Sequence, residues 1–240
     1  MFDTGRGIAY DYDKAHRVKF EGNFHNTDTW APVHPSLQRT PVLFQAGASK
    51  AGSDFAAKHA EAIFCGTNKA KETGKFVKKM RALAVENGRD PNHIKFFPGI
   101  TPVVARTVEE AEAKYQAALA NVDYRGGLAK MSSYLGVDFS KFPLDEPFDT
   151  SNKDINGVQT MLTLLLEDPS KKWTPRMIGA QMAFCGFGPM PVGTPETVAD
   201  VLEEWVNDGD IDGFNVACEF NCVRRTYSGL TGNFRHHESN

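Results

Sequence analysis

The clearest pattern along the chain is an apolar run that gives way to small residues and then to an alanine-rich stretch, all within residues 40–63. Residues 42–44 form the apolar run, and the small residues of 45–49 follow it directly. A short bounded apolar run predicts a strand, and the spacing of apolar positions over about 51–59 predicts a helix. The segment therefore predicts a strand, a tight turn and a helix, in that order.

The rest of the chain predicts further strands alternating with helices. Apolar and polar residues alternate over 18–24, which predicts a short hairpin that turns at Gly22. Helical spacing predicts one helix that begins near Asn68 and another after Thr107, which forms a capping box with Glu110. Strands are also predicted over 62–65, over 94–105 with an interruption at Pro98 and Gly99, and over 213–217, and a last helix runs from Thr194 and Pro195 to about Trp205.

The turn after the first of these strands suits a phosphate group. Small residues let the backbone approach a ligand, and the first N–H groups of a helix point outward at the positive end of its dipole. Ser49 can cap the helix and offer its hydroxyl to an anion. A purely structural role remains open, because a strand followed by Gly and a Ser cap is common in α/β proteins. A second small-residue segment, 186–193, has the same two interpretations.

Several segments resemble the flavin-dependent monooxygenases of the bacterial-luciferase superfamily. The resemblance extends from about residue 5 to residue 218 and is strongest to the branch that contains nitrilotriacetate monooxygenase component A, dibenzothiophene-sulfone monooxygenase and the large subunit of pristinamycin IIA synthase. The runs that carry it are PVLFQAGAS, FAAKHAEAIF, ENGRDPNHIKFFPGITPVVARTVEEAEAKY, GFGPMPVGTPETVADVLEEWV and DGFNVA, in family order.

This resemblance implies a fold, a cofactor and a site. The family has a (β/α)8 TIM barrel that binds reduced FMN supplied by a separate reductase and uses O2 to oxygenate a small organic substrate. In the family, the serine of the QAGAS run contacts the FMN phosphate. The matching residue is Ser49, and Gly47 and Ala48 complete the implied cofactor-binding set. The resemblance assigns no catalytic residue.

The strand count predicts only part of such a barrel. About four strands are present, whereas a closed barrel has eight, so the expected fold is α/β, the C-terminal portion of the barrel with about four βα units. We expect a connector with a hairpin over 1–40, a partial barrel domain over 41–218 and a divergent polar tail over 219–240. Residues 124–190 are too long for an ordinary βα loop, which predicts an insertion that forms a lid or pocket wall.

An incomplete barrel has an energetic consequence. It leaves two unpaired sheet edges and exposes apolar side chains that closure of the barrel would cover. We therefore expect the chain to form a homo-oligomer or to associate with a full-length relative.

Composition restricts the function classes further. The chain has 240 residues, a formal net charge of −3 and a pI near 6.2, which gives no electrostatic case for binding nucleic acid. It lacks an apolar run of about 18 residues and a secretory signal, so we expect a cytoplasmic protein without a membrane segment. The four cysteines include no C-x-x-C pair, and we expect no metal site.

Two functions stay open at this point. The first is an FMN-dependent monooxygenase or a C-terminal fragment of one, and the second is an inactive truncated relative that keeps the scaffold and the flavin-phosphate loop. Whether the chain is an active enzyme is therefore undecided. A different phosphate-binding barrel, such as an aldolase, would need a catalytic residue at a strand C-terminus, but Lys95 lies near the beginning of its strand.

Overall fold

A computed structural model describes residues 3–31, 36–46, 49–66, 68–148, 171–184 and 186–217. The chain divides into two compact units, Met1–Val42 and Leu43–Asn240.

The first unit contains the predicted hairpin. Strands β1 (Arg17–Glu21) and β2 (Asn26–Trp30) pair antiparallel. The N–H of Gly22 donates to the carbonyl of His25 at 3.0 Å, so the turn extends past the predicted glycine. Arg17 bonds Asp28 across the two strands at 2.6 Å. The hairpin prediction is confirmed.

The second unit contains a parallel sheet with helices in the chain between its strands. Four strands form this sheet in the order β3, β4, β5 and β8, and β6 pairs with β7 in a separate parallel pair. The elements are β3 (Phe44–Ala46), α1 (Lys50–His59), β4 (Ala62–Cys65), α2 (Ala70–Glu86), β5 (Lys95–Ile100), β6 (Val103–Val104), α3 (Val108–Leu119), α4 (Tyr124–Leu135), α5 (Pro175–Phe184), β7 (Val192–Gly193), α6 (Pro195–Gly209) and β8 (Asn215–Val216).

Local sequence explains where these helices begin. The hydroxyl of Ser49 accepts from the N–H of Gly52 and caps α1, while Thr107 caps α3 and Thr194 caps α6. The carboxylate of Glu110 bonds Arg106 at 2.9 Å, so it does not return to Thr107 as the predicted capping box requires. The predicted caps at Ser49, Thr107 and Thr194 are confirmed. The predicted bond from the Glu110 carboxylate back to the backbone N–H of Thr107 is wrong.

The predicted strand over 94–105 is confirmed for Lys95–Ile100, but Pro98 and Gly99 do not interrupt it as predicted, and the chain leaves the sheet after Ile100. The N–H of Thr101 donates to the carbonyl of Pro189 at 3.0 Å, and Pro102 has no N–H to continue the ladder. The next two residues therefore form β6 and pair with β7.

The main core lies on the side of the sheet that the helices cover. Side chains from α1, α2, β4, β5 and α6 meet there. Its buried members are Ala56, Ala57, Ala60, Ile63, Cys65, Ala70, Val77, Met80, Ala84, Ile94, Phe96, Trp205 and Ile211.

A second core forms between α4 and α5, in the described parts of the predicted insertion. A Cβ atom on Gly127 would collide with the carbonyl oxygen of Gly179, and one on Gly179 would collide with that of Tyr124. The two helix backbones therefore touch at this crossing. Its buried members are Leu128, Met131, Leu135, Phe139, Phe148, Ile178, Met182 and Phe187.

Candidate functional site

The loops that follow the strands of the main sheet lie at one edge of it, the edge formed by the carboxyl ends of the strands. All four strands of the main sheet are parallel, so their carboxyl ends lie together. Ser49 follows β3, Asn68 follows β4 and Thr101 follows β5. In open and closed α/β folds this is the edge where ligands bind.

Ser49 has the geometry of a helix N-cap. Its backbone is extended, and its Oγ accepts from the N–H of Gly52 at 3.1 Å. The hydroxyl hydrogen is then available to a ligand. The N–H groups of Lys50 and Ala51 belong to the first turn of α1, where no intrahelical acceptor exists. Gly47 and Ala48, the other two predicted residues, lie outside the described part of the chain.

The electrostatics of α1 differ from those of α3. The first turn of α1 contains no acidic residue and begins with the exposed Lys50. In α3 the first turn contains Glu109 and Glu110. There the N–H of Glu109 and then the Thr107 hydroxyl lower the pKa of the Glu109 carboxyl, because both stabilise its charged form. The terminus of α1 offers the same stabilisation to an external anion.

Two further polar residues at this edge escaped the sequence analysis. Oδ1 of Asn68 is buried and has no hydrogen-bond partner within the described structure. Thr101 is only 5% exposed. For Asn68 the available signal was a polar residue shortly after the predicted strand over 62–65. Thr101 lies inside the predicted strand over 94–105 and gave no such signal, and the burial of neither residue could be read from the sequence.

The second small-residue segment reaches the same edge. Pro189 accepts from Thr101, and a Cβ on Gly188 would lie 3.9 Å from the carbonyl oxygen of Gly99. Gly186 has a positive φ of 80° and accepts from the amide of Gln181 at 2.7 Å. The segment therefore serves the structural role of leading into α6 and also lies beside the end of β5.

Other candidate reactive groups have structural roles. Burial raises the pKa of the Cys65 thiol to about 12, which removes the thiolate needed for nucleophilic chemistry. Lys95 forms an ion pair with Asp212 at 2.9 Å at the amino end of β5, away from the ligand edge. Among the residues the structure describes, no three His, Cys, Asp or Glu side chains group as metal ligands.

In that same part of the chain, no helix has the length and apolar character to cross a membrane.

Known proteins match both the sequence and the structure. The luciferase-like monooxygenase family matches residues 6–211. Dimethyl-sulfide monooxygenase of Hyphomicrobium sulfonivorans is 38% identical over 216 residues, which are 90% of this chain and 45% of that protein. N-acetyl-S-(2-succino)cysteine monooxygenase of Bacillus subtilis (strain 168) is 34% identical over 88% of this chain and 48% of its own.

Solved structures give the same result for the fold. The crystal structure of DmoA from Hyphomicrobium sulfonivorans matches with a TM-score of 0.75 and 34% identity, over 98% of this chain and 50% of DmoA. The crystal structure of riboflavin lyase (RcaE) with modified FMN and substrate riboflavin matches with a TM-score of 0.73 and 30% identity, over 97% of this chain and 51% of RcaE.

The chain thus spans about half the length of the relatives it matches. The predicted α/β fold is confirmed, with a parallel sheet that corresponds to part of the barrel. Because the family match covers most of the chain and relatives above 30% identity align with it, the chain belongs to the luciferase-like monooxygenase family.

Proposed function

We propose that this chain binds FMN and that Ser49 holds the cofactor's phosphate. The observation that carries the proposal is the terminus of α1, which lies at the ligand edge, is capped by Ser49 and has no acidic residue in its first turn. The hydroxyl of Ser49 would donate to a phosphate oxygen. The N–H groups of Lys50 and Ala51 would add to it, with Gly47 and Ala48 allowing close approach of the backbone.

The proposed reaction is a monooxygenation of a small organic substrate by O2. Family membership supports a flavin, and modified FMN in the similar riboflavin lyase supports FMN in particular. When bound, the reduced flavin supplies the electrons that activate O2. A separate reductase would supply the reduced FMN in the cytoplasm. This chain's own residues would hold the phosphate and exclude water from the strand ends.

A second candidate is an inactive relative that retains the scaffold and phosphate loop. The observation that favours it is coverage, since the chain matches about half of each relative. In either case the exposed sheet face supports association with a second copy or with a full-length relative. The exposed side chains of Phe44 and Phe64 motivate that part of the proposal.

Flavin binding is testable with two substitutions at one position. Ser49→Ala removes the hydroxyl, and a hydrogen bond to a charged group is worth about 1.5–3 kcal/mol, or roughly a 10- to 150-fold loss of FMN affinity. Ser49→Asp retains a good helix cap but places a negative charge against the phosphate, so we expect a larger loss. Fluorescence titration of FMN measures both.

Thr107→Asp is the matched control, because it makes the same type of substitution at the cap of α3. It should leave FMN affinity unchanged. Equal FMN affinity in the unaltered protein, Ser49→Ala and Ser49→Asp would contradict the phosphate site.

Turnover requires a separate measurement. Mixing FMNH2 with O2 in the presence of the protein should delay the return of oxidised-flavin absorbance if the chain protects the reacting flavin from water. If the oxidised-flavin absorbance returns as fast as it does with free FMNH2, although the protein still binds FMN, the inactive relative is favoured.

A further inference from the structure

The hairpin of the first unit has no buried core of its own. Among the described residues before Leu43, no side chain is buried. Val18 and Phe20 on β1 are 44% and 57% exposed. A two-stranded hairpin alone is at best marginally stable in water, and it gains stability from further strands that share an apolar face. Additional strands beside the hairpin would supply what it lacks.

The outer edge of β1 is open to another strand. Hydrogen-bonded and non-hydrogen-bonded pairs alternate along an antiparallel ladder. The N–H of Gly22 donates to the carbonyl of His25, which fixes where that alternation starts. The N–H and C=O groups of Arg17, Lys19 and Glu21 therefore point away from β2. In the described structure β1 pairs with no strand besides β2, and such an open edge is a template for another chain.

The outer edge of β2 is partly occupied by the chain itself. The same alternation places the carbonyl of Asp28 on that edge, where it accepts from Nη2 of Arg17 at 2.8 Å. Nε of Arg17 also donates to the carboxylate of Asp28 at 2.6 Å. Of the two edges, that of β1 is therefore the more accessible.

The sequence of β1 is complementary to itself in an antiparallel pair. If two copies of Arg17–Glu21 pair about Lys19, Arg17 lies opposite Glu21 of the second copy, and Val18 lies opposite Phe20. Opposite charges and pairs of an aromatic with a β-branched residue both stabilise neighbouring antiparallel strands. Glu21 forms no ion pair in the described structure, so its carboxylate is free for this contact.

Lys19 lies on the two-fold axis of this arrangement, where two like charges face each other. In each copy, Nζ of Lys19 lies 3.6 Å from the carboxylate of Asp28, and this negative charge offsets the repulsion. The outward N–H and C=O groups of the two Lys19 residues then bond each other.

We propose that β1 pairs antiparallel with β1 of a second copy, in the register that places Lys19 opposite Lys19. The product is a four-stranded sheet in which Val18 and Phe20 of both copies share one face. A specific interface takes about 20–30 residues from each copy, and β1 supplies five. The pairing therefore adds to association through the exposed sheet face that carries Phe44 and Phe64, and it does not rest on FMN binding.

Single cysteines at two positions of β1 test the register. In a hydrogen-bonded antiparallel pair, opposing Cα atoms lie about 5.5 Å apart, which is within the span of a disulfide. Lys19→Cys should therefore form a disulfide-linked dimer under mild oxidation, measured by non-reducing electrophoresis.

Glu21→Cys is the matched control, because Glu21 is exposed on the same face of the same strand. Its Cα atoms in the two copies would lie about 14 Å apart, which is too far for a disulfide. We expect the linked dimer to form at least about tenfold faster in Lys19→Cys than in Glu21→Cys. The unaltered protein gives the background from the four natural cysteines.

Sedimentation at several protein concentrations tests the charge pairing. Glu21→Arg places an arginine opposite Arg17 of the second copy and should raise the dissociation constant of the dimer about 3- to 30-fold. Because Glu21 is exposed and forms no ion pair, the thermal midpoint should not fall. Glu86→Arg makes the same substitution at an exposed position of α2 and should leave the dissociation constant unchanged.

Equal cross-linking rates in Lys19→Cys and Glu21→Cys, or a faster rate in Glu21→Cys, would overturn the pairing of β1. A dimer that Phe44→Lys disrupts and Glu21→Arg leaves intact would also overturn it, and would leave the exposed sheet face as the contact between copies. An unaltered protein that is monomeric at every concentration would overturn both contacts. FMN binding retained in any of these cases would leave the phosphate site at Ser49 standing.

Discussion

The two faces of the main sheet differ in how far their large apolar side chains are exposed. On the helix-covered face, Ile63 and Phe96 are 1% and 0% exposed. On the open face, Phe44 and Phe64 are 54% and 39% exposed, and their rings lie 5.3 Å apart. The strands thus carry large apolar side chains on both faces, but the described helices cover only one.

The apolar residues on both faces of the strands are typical of a parallel sheet that is buried on both sides. A parallel sheet that is buried on both faces has strands with nearly continuous apolar residues. The run Ala62–Cys65 has that character, although Phe64 is exposed. The chain spans about half the length of these relatives, and closure of a full barrel would cover the inner face of such a sheet.

The largest expected effect tests the covered face. Phe96→Ala removes a fully buried ring that contacts Phe76 edge-on and lies under the guanidinium of Arg81. We expect a loss of about 3–5 kcal/mol in the free energy of unfolding, measured by urea denaturation. Phe64→Ala, the matched change on the open face, should cost less than about 1 kcal/mol. Equal losses would remove the distinction between the faces.

The next effect concerns the close helix crossing. Gly127→Ala forces a methyl group into the backbone of α5 and should cost about 1–3 kcal/mol. A Cβ on the neighbouring Gly126 would lie 3.1 Å from Oδ2 of Asp123, which would need to shift by only a few tenths of an ångström while Oδ1 keeps its bond to the N–H of Arg125. Gly126→Ala should therefore be neutral or stabilise α4 by up to about 1 kcal/mol. If Gly127→Ala and Gly126→Ala unfold at the same urea concentration, the backbones of α4 and α5 do not touch at Gly127 as described.

Association of the chain with a second copy should depend on the exposed aromatic side chains of the open sheet face. We expect the protein to sediment as a species larger than its 26.5 kDa monomer. Phe44→Lys puts a charge on the exposed aromatic surface and should shift at least half of the sample toward the monomer. Lys58→Glu, an exposed charge change on α1, serves as the control. A clean monomer that unfolds cooperatively without any substitution would contradict this expectation.

The last effect concerns stability at alkaline pH. The folded pKa of Cys65 is raised from 9.0 to about 12 by burial, so the folded state retains the proton that the unfolded state loses first. The associated stability is complete below pH 9 and falls between pH 9 and 12. Cys65→Ala should show a shallower alkaline decline than the unaltered protein. Parallel pH profiles for the two proteins would mean that Cys65 does not ionise in this way.

Sequence patterns predicted the elements whose causes are local. The cap at Ser49, the strand over 62–65 and the helix that begins near Asn68 depend on neighbouring residues, and all three are confirmed. The end of β5 depends on Pro189, which is distant in sequence, so the pattern alone predicted too long a strand.

In the candidate site, too, the sequence predicted the residue with a local structural role and missed the one that depends on distant segments. The sequence identified Ser49, but the roles of Gly47, Ala48 and Ser49 toward FMN stay predictions. Thr101 was not identified, because its burial depends on segments that meet it only in the folded chain.

Hydrogen exchange of the α1 terminus tests the central claim most directly. The account predicts that FMN slows exchange at the N–H groups of Lys50 and Ala51, because its phosphate accepts from them, and that riboflavin leaves them unchanged. Equal exchange at these two amides with FMN, with riboflavin and without ligand would contradict the phosphate site at Ser49.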